Sequence, residues 1–466
     1  MKPAAMRCSA MLAIAAAFCM AAASSQLAQD AAPPGARQVT ILTTFPSDCG
    51  PGPKDKPDNV GGVGPDHVVS FTCANFLVHD KKTGKVLMKK TQSEFWADLG
   101  FKDLDSQPND PRMLYDPLSR RWIATTAFDK NLHVLLLAVS TSPDPTKPWK
   151  GIKTPLKSPD FGFRCGVDRN GFYGCYWNFN KDLHTMMDCW VVPKEDLVAP
   201  DGPNIANAQL FTGLEIESFP ATDLDPDKAA DAPEYLLCHE FPVNNVQFSK
   251  LYMYRITWAA KRASISKVQE IPLGRTYIAP NGSSLKNQAF QPAPGPKLRA
   301  DEGRRTQTVW AHGGSLFTCN EAKRAIDSRP GIFWAEVRAK DGQRLQEGFI
   351  DSPDCDYLVP SLAVDAAGNV GIGCTRTSEK EFPSVVVMMR AHGDPKGTMR
   401  PPVLAAKGTA TYSSNRDNQK FGCGWGNYNS TCLDPSDPTV IWTFQEYSAS
   451  GVPNVFNTCW VAFKLN

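Results

Sequence analysis

A short apolar strand, an aspartate, a few turn residues and a second apolar strand recur along this chain, and a recurring hairpin admits few folds. The clearest copies are Met113-Leu-Tyr-Asp-Pro-Leu-Ser-Arg-Arg-Trp122, Cys165-Gly-Val-Asp-Arg-Asn-Gly-Phe-Tyr-Gly-Cys175, Leu362-Ala-Val-Asp-Ala-Ala-Gly-Asn-Val-Gly-Ile372 and Thr431-Cys-Leu-Asp-Pro-Ser-Asp-Pro-Thr-Val-Ile-Trp442. Looser copies span Phe76 to Met88 and Thr308 to Cys319. Asp, Asn, Gly and Pro supply turn conformations between residues that cluster as strands do. Val134 to Val139 and Val385 to Met389 each follow a hairpin and lead into a Pro/Gly turn, as a third and fourth strand would.

Unit starts near Val60, Asp110, Phe161, Pro233, Arg304, Cys355 and Phe421 give seven units of roughly 50 to 70 residues, the size of a four-stranded propeller blade. The expected fold is all-β, a seven-bladed β-propeller, with six or eight blades as alternatives and a pair of β-sandwiches as the competing architecture. A strand at Arg37 to Thr43 is expected to pair with Cys459 to Leu465 and close the ring, which removes unpaired edges. Short helices are expected at Ser93 to Leu99 and Asn320 to Asp327.

The N-terminus reads as an export signal. Lys2 and Arg7 precede an apolar run from Met11 to Ala23, and small residues follow. Thirteen apolar residues fall short of the roughly 20 that span a bilayer. The expected layout is a signal peptide over 1–25 and one propeller domain over 26–466, secreted or periplasmic, monomeric, with no membrane span in the mature part. Fourteen cysteines, two of them in the leader, leave an even twelve, which in an exported chain suggests disulfides. Cys165 and Cys175 flank one turn and are a candidate pair. Without Lys2 and Arg7 the mature chain has equal numbers of basic and acidic residues and no basic run, which argues against nucleic acid as a partner. Asn281-Gly-Ser and Asn429-Ser-Thr are sequons in a host that glycosylates.

The stretches Val63-Gly-Pro-Asp-His-Val-Val, Asp110-Pro-Arg-Met-Leu-Tyr-Asp with Trp122, Ala138-Val-Ser-Thr-Ser-Pro-Asp-Pro and Trp425-Gly-Asn-Tyr-Asn-Ser with Glu446-Tyr447 resemble secreted bacterial β-propeller proteins, broadly sialidase-like in shape. The resemblance runs from about Val60 to Phe463. It implies a fold and no catalytic assignment. Members commonly show Arg-Trp-Gly-Asp-Tyr near the last blade, where this chain has Gly424-Trp-Gly-Asn427-Tyr.

In a propeller the starts of the innermost strands converge on the axis, so the candidate ligand-binding residues are Asp110, Arg112, Arg164, Arg305, Trp425 and Asn427, with Arg376, at the end of a second strand, added to them. Guanidinium binds carboxylate through two parallel hydrogen bonds, which suits a carboxylated glycan or a small carboxylated ligand. A glycoside hydrolase needs two carboxyl groups, and Glu240 and Glu446 are candidates beside Asp110. A polysaccharide lyase needs a base, for which His239, His312 and Tyr428 are candidates. The alternative is a non-catalytic binding or structural propeller. In that bland reading the arginines pair with acids such as Asp116 and Asp168 to stitch blades together. Asp223, Asp225 and Asp227 follow part of the EF-hand spacing and are candidate calcium ligands, although Lys228 stands where glycine is wanted.

Overall fold

The computed structural model describes residues 37–51, 57–102, 109–128, 134–155, 163–179, 185–240, 247–280, 288–300, 308–414 and 423–466. The expected signal peptide, Arg305 and the Asn281 sequon lie outside these residues. Among them the compact unit Val39–Asn466 is almost entirely β, with helices only at Gln92–Asp98 and Lys194–Leu197. Five sheets have four antiparallel strands each, four of them formed from successive segments within 60–91, 109–155, 164–214 and 356–406. The fifth joins Ser430–Leu433, Ile441–Tyr447 and Val455–Leu465 to the N-terminal strand Val39–Pro51. A nine-stranded sheet covers 219–350, but its two halves meet only at Ile278 opposite Lys323. Dividing it there gives seven meanders. The fold is a β-propeller.

The closing strand pairs as expected, with Val39 opposite Leu465 and Thr44 opposite Val461. Three other expectations need correction. The fourth meander begins at Phe219–Pro220, ahead of Pro233, because its first strand has only two residues and its second is Glu234–His239. Phe76 to Met88 is a third-to-fourth hairpin, since Asn75–Asp80 pairs with both His67–Phe71 and Val86–Thr91. Asn320 to Asp327 is not helical. Asn320, Glu321 and Ala322 extend the strand Ser315–Lys323 and pair with Phe333, Ile332 and Gly331, so strand pairing overrides local helix preference. The other expected helix is present: Thr91 caps it, accepting from the Glu94 amide at 3.1 Å while Glu94 accepts from the Thr91 amide at 2.7 Å.

Burial follows position within each sheet. Val134–Ser140 and Asp356–Val364 are buried throughout, sandwiched between neighbouring sheets, whereas the outer strand Val86–Thr91 is largely exposed. Tryptophans fill the seams. A Cβ on Gly61 would stand 2.5 Å from the Trp460 ring and one on Gly64 2.6 Å from Trp122, so glycine there lets the indoles pack against the backbone.

The aspartate of the repeat does two jobs. Its carboxylate accepts amide hydrogens of its own turn: Asp168 from Asn170 and Gly171, each at 2.8 Å, Asp365 from Ala367 and Asn369, each at 2.9 Å, and Asp434 from Ser436 at 2.8 Å. It also receives a lysine from the next meander. Lys194 bonds Asp116, Lys228 reaches Asp168 at 2.8 Å, and Lys81 reaches Asp434 at 2.9 Å. Acids do stitch the meanders, as the bland reading had it; the partner is a lysine at Asp116, Asp168 and Asp434 and an arginine at Asp356, which takes Arg329.

Asp356 starts the first strand of the sixth meander. It is fully buried, accepts from the Phe290 amide at 2.8 Å and from Arg329 Nη1 at 3.1 Å, and burial raises its carboxyl to about 6. The unfolded group titrates near 4. A raised folded value contributes stability that is full below about 4 and lost as pH rises through about 6. Urea midpoints of the wild type should therefore rise between pH 7 and pH 5 more than those of Asp356→Asn. Equal rises in the two proteins would remove Asp356 as the cause.

All twelve described cysteines are thiols, eight of them buried. Cys165 faces Gly174 in the ladder, and Cys175 faces Arg164. A one-residue offset puts the two side chains on opposite faces of the sheet, so the expected Cys165 to Cys175 pairing is corrected. Cys189 stands opposite Cys175 instead.

Candidate functional site

The innermost strands enclose a cavity of about 400 Å³ along the axis. Its lining includes the first strand of the second meander, Asn109–Asp116, and the approach to the last, Tyr428 to Asn429. Arg112 is 6% exposed and lays its guanidinium on the Tyr428 ring, 3.6 Å from the centroid. That contact is cation–π in geometry and holds the fork flat. Nη1 donates to the Pro111 carbonyl at 3.1 Å, while Nη2 is buried with no hydrogen-bond partner. No carboxylate pairs with Arg112 among the described residues.

The other charges bordering the cavity are neutralised within the protein. Arg164, itself buried, bonds the buried carboxylate of Glu217 and lies 5.6 Å over the Trp177 ring. Asp434 is held by Lys81 and by the Trp442 indole at 2.9 Å. Cys165 also borders the space, and burial pushes its thiol up to about 12 against the pull of Arg112, so it is no thiolate nucleophile at neutral pH. The described lining therefore carries one guanidinium in excess.

The remaining sequence candidates are placed as follows. Asp110 is buried two residues before Arg112, with a left-handed backbone at φ +48°. Asn427 donates to Asp58 at 2.6 Å. Trp425 is fully buried and its indole donates to Thr375 at 3.2 Å. Arg376 spends its fork on Glu381, at 2.8 and 2.9 Å. Glu446 is buried on a second strand and accepts from the Gly426 amide at 2.8 Å. His239 is buried against Phe248, ring centroids 4.9 Å apart. Glu240 accepts from the Ser249 amide at 3.1 Å, and His312 ends a first strand opposite Ser315. Of the whole set, the structure brings Arg112, Arg164 and Tyr428 to the cavity; the other described candidates do not border it.

The acidic loop has its own cation. Lys228 Nζ lies 2.8 Å from Asp168 and 2.9 Å from both Asp223 and Glu234. Burial works against its charge, yet Glu234, Asp168 and Asp223 outweigh it and hold the ammonium above its ordinary value. Asp225 and Asp227 are exposed, and no group of metal-binding side chains forms among the described residues. Asp223 is the turn aspartate of the fourth meander. The Asn429 sequon is also occupied within the fold, since its amide is buried and donates to the Val359 carbonyl at 2.6 Å and to Gln445 at 2.5 Å.

Sequence reasoning missed Glu217 and the walls of the cavity, Leu118, Leu224, Trp310 and Leu433 among them. A signal existed for the fourth meander: Phe219-Pro-Ala-Thr-Asp223 has the strand-then-aspartate grammar of the other copies.

No protein-family model matches the chain, and no curated protein matches it. Solved structures similar to it are β-propeller-type proteins. Drosophila Plexin A in complex with Semaphorin 1b aligns at 6% identity over 92% of this chain and 88% of that one, with a TM-score of 0.39. The WD40 domain of SCAP from fission yeast aligns at 8% over 91% and 98%, TM-score 0.35. The endo-arabinase of Bacteroides thetaiotaomicron aligns at 15% over 64% and 93%, TM-score 0.30. Superpositions this loose carry no chemical assignment.

Proposed function

We propose that this chain is an exported β-propeller that binds a carboxylated ligand in its axial cavity and acts there as a binder, not as a catalyst. The observation that carries this reading is Arg112: a buried guanidinium on the cavity, stacked on Tyr428, without a carboxylate partner among the described residues. Burying an unpaired charge is costly, and a carboxylate across the fork repays that cost through charge-assisted hydrogen bonds. Binding is favoured over hydrolysis because the candidate acids Glu240 and Glu446 do not border the cavity and the lining carboxylate of Asp434 is already engaged, and over elimination because His239 and His312 do not border it while Tyr428, the one candidate base that does, has its ring covered by the Arg112 guanidinium. Export rests on the leader sequence.

The test is calorimetric titration of the mature protein with matched carboxylates and their primary amides. Carboxylates should bind at least tenfold more tightly than the amides. Equal affinity for the two would overturn the reading.

A further inference from the structure

Resting on that reading, we infer that the ligand is a carboxylate with an apolar body, an alkyl or aryl acid, and not a sugar acid. The cavity is graded along its length. Arg112 and Tyr428 lie at the start of the inner strands Asn109–Asp116 and Ser430–Leu433, and Leu118, Leu433 and Pro435 at or past their ends, where Leu224 and Pro226 of the fourth meander's turn also line the space. Pro226 is exposed and Leu118, Leu224, Leu433 and Pro435 are half-buried, so this apolar end is where the space meets the surface. The turn face of the propeller thus offers a greasy entrance above a buried cation.

Several polar side chains that border the cavity are spent on the protein. Asn429 is held by Val359 and Gln445, Ser430 accepts from the Gly61 amide at 3.0 Å, and Thr431 shares hydroxyl hydrogen bonds with Ser361 at 2.6 Å and Thr443 at 2.8 Å. A sugar acid entering here would satisfy its carboxylate and bury its hydroxyls against leucine and proline, which is costly for each hydroxyl left without a partner. An alkyl chain meets the same walls with gain. Its head at Arg112 and its tail toward Leu118 follow the strand from Arg112 to Asp116, about 13 Å at the usual rise per residue.

The experiment uses the mature full-length protein and titrates butyrate, hexanoate and octanoate beside glucuronate and octanamide. Affinity is expected to rise about fourfold per methylene, so octanoate should exceed butyrate by on the order of a hundredfold and glucuronate by at least tenfold. Leu224→Ser should weaken octanoate severalfold and leave butyrate unchanged, with the far-ultraviolet spectrum and melting midpoint reporting that the variant folds. Glucuronate binding as tightly as octanoate, or a flat chain-length series, overturns the apolar body and leaves the carboxylate reading standing. Octanamide binding as tightly as octanoate overturns the carboxylate reading and leaves an apolar pocket. No binding by any of the five overturns both.

Discussion

Replacing Arg112 by methionine should weaken binding of a carboxylate by about ten- to a hundredfold, the worth of a charge-assisted hydrogen-bonded pair, and should not lower the stability of the unliganded protein. Both halves of this expectation come from the same geometry. The guanidinium is 6% exposed, and among the described residues one of its nitrogens has no hydrogen-bond partner and no acid compensates its charge. In the empty protein it is a desolvated cation held by a tyrosine face and one carbonyl. Methionine keeps much of the side-chain volume and removes the burial cost, so the urea midpoint should stay level or rise. Arg112→Lys is a sharper control. It keeps the charge but loses the planar fork and most of the stack, and should fall between the two. Unchanged affinity in Arg112→Met, measured with the same carboxylate, would remove Arg112 as the anchor. A large fall in stability would mean that the arginine is structural.

The opposite balance applies at Lys228, where methionine should destabilise the fold by about 3–5 kcal/mol, the range for breaking a buried ion pair from one side. Lys228 is 7% exposed, and three carboxylates converge on its ammonium: Asp168 and Glu234, both fully buried, and Asp223. Without it they repel one another in a desolvated site, and Glu234, whose carboxyl burial already holds above its ordinary value, loses the ammonium that pulls it down. Stability tied to such raised groups is full below the unfolded value and lost as pH rises through the folded one. The deficit of Lys228→Met against wild type should therefore be largest near pH 7.5 and shrink toward pH 5. Parallel urea titrations at the two values measure it. A deficit that is small, or that does not change with pH, would show that solvent already screens the cluster.

What could be read ahead of the structure follows the range of each interaction. The aspartates at 116, 168, 365 and 434 cap their own turns within two to four residues, so their signal is local and visible in sequence. Arg112, Arg164 and Tyr428 were also legible, because the start of an inner strand lies near the axis in any ring of this kind. Which arginine is spare was not. Arg164 is neutralised by Glu217, 53 residues away, and nothing local marks that pairing. The fourth meander shows the same limit from another side. Its first strand is two residues long, and its turn aspartate sits among enough other acids to resemble a calcium loop. The cysteine pair failed by one step of register, a quantity set by how the turn closes and invisible in the spacing of residues 165 and 175.

The strand Val39–Pro51 lies against Val455–Leu465, more than 400 positions later in the chain. During synthesis it therefore waits without its native partner until nearly all the rest has been made. An open ring with an unpaired edge is the state most exposed to wrong pairing, and it lasts until the final meander closes. In a polypeptide that is carried across a membrane unfolded, ring closure falls after transit, when both of its ends have arrived on the same side.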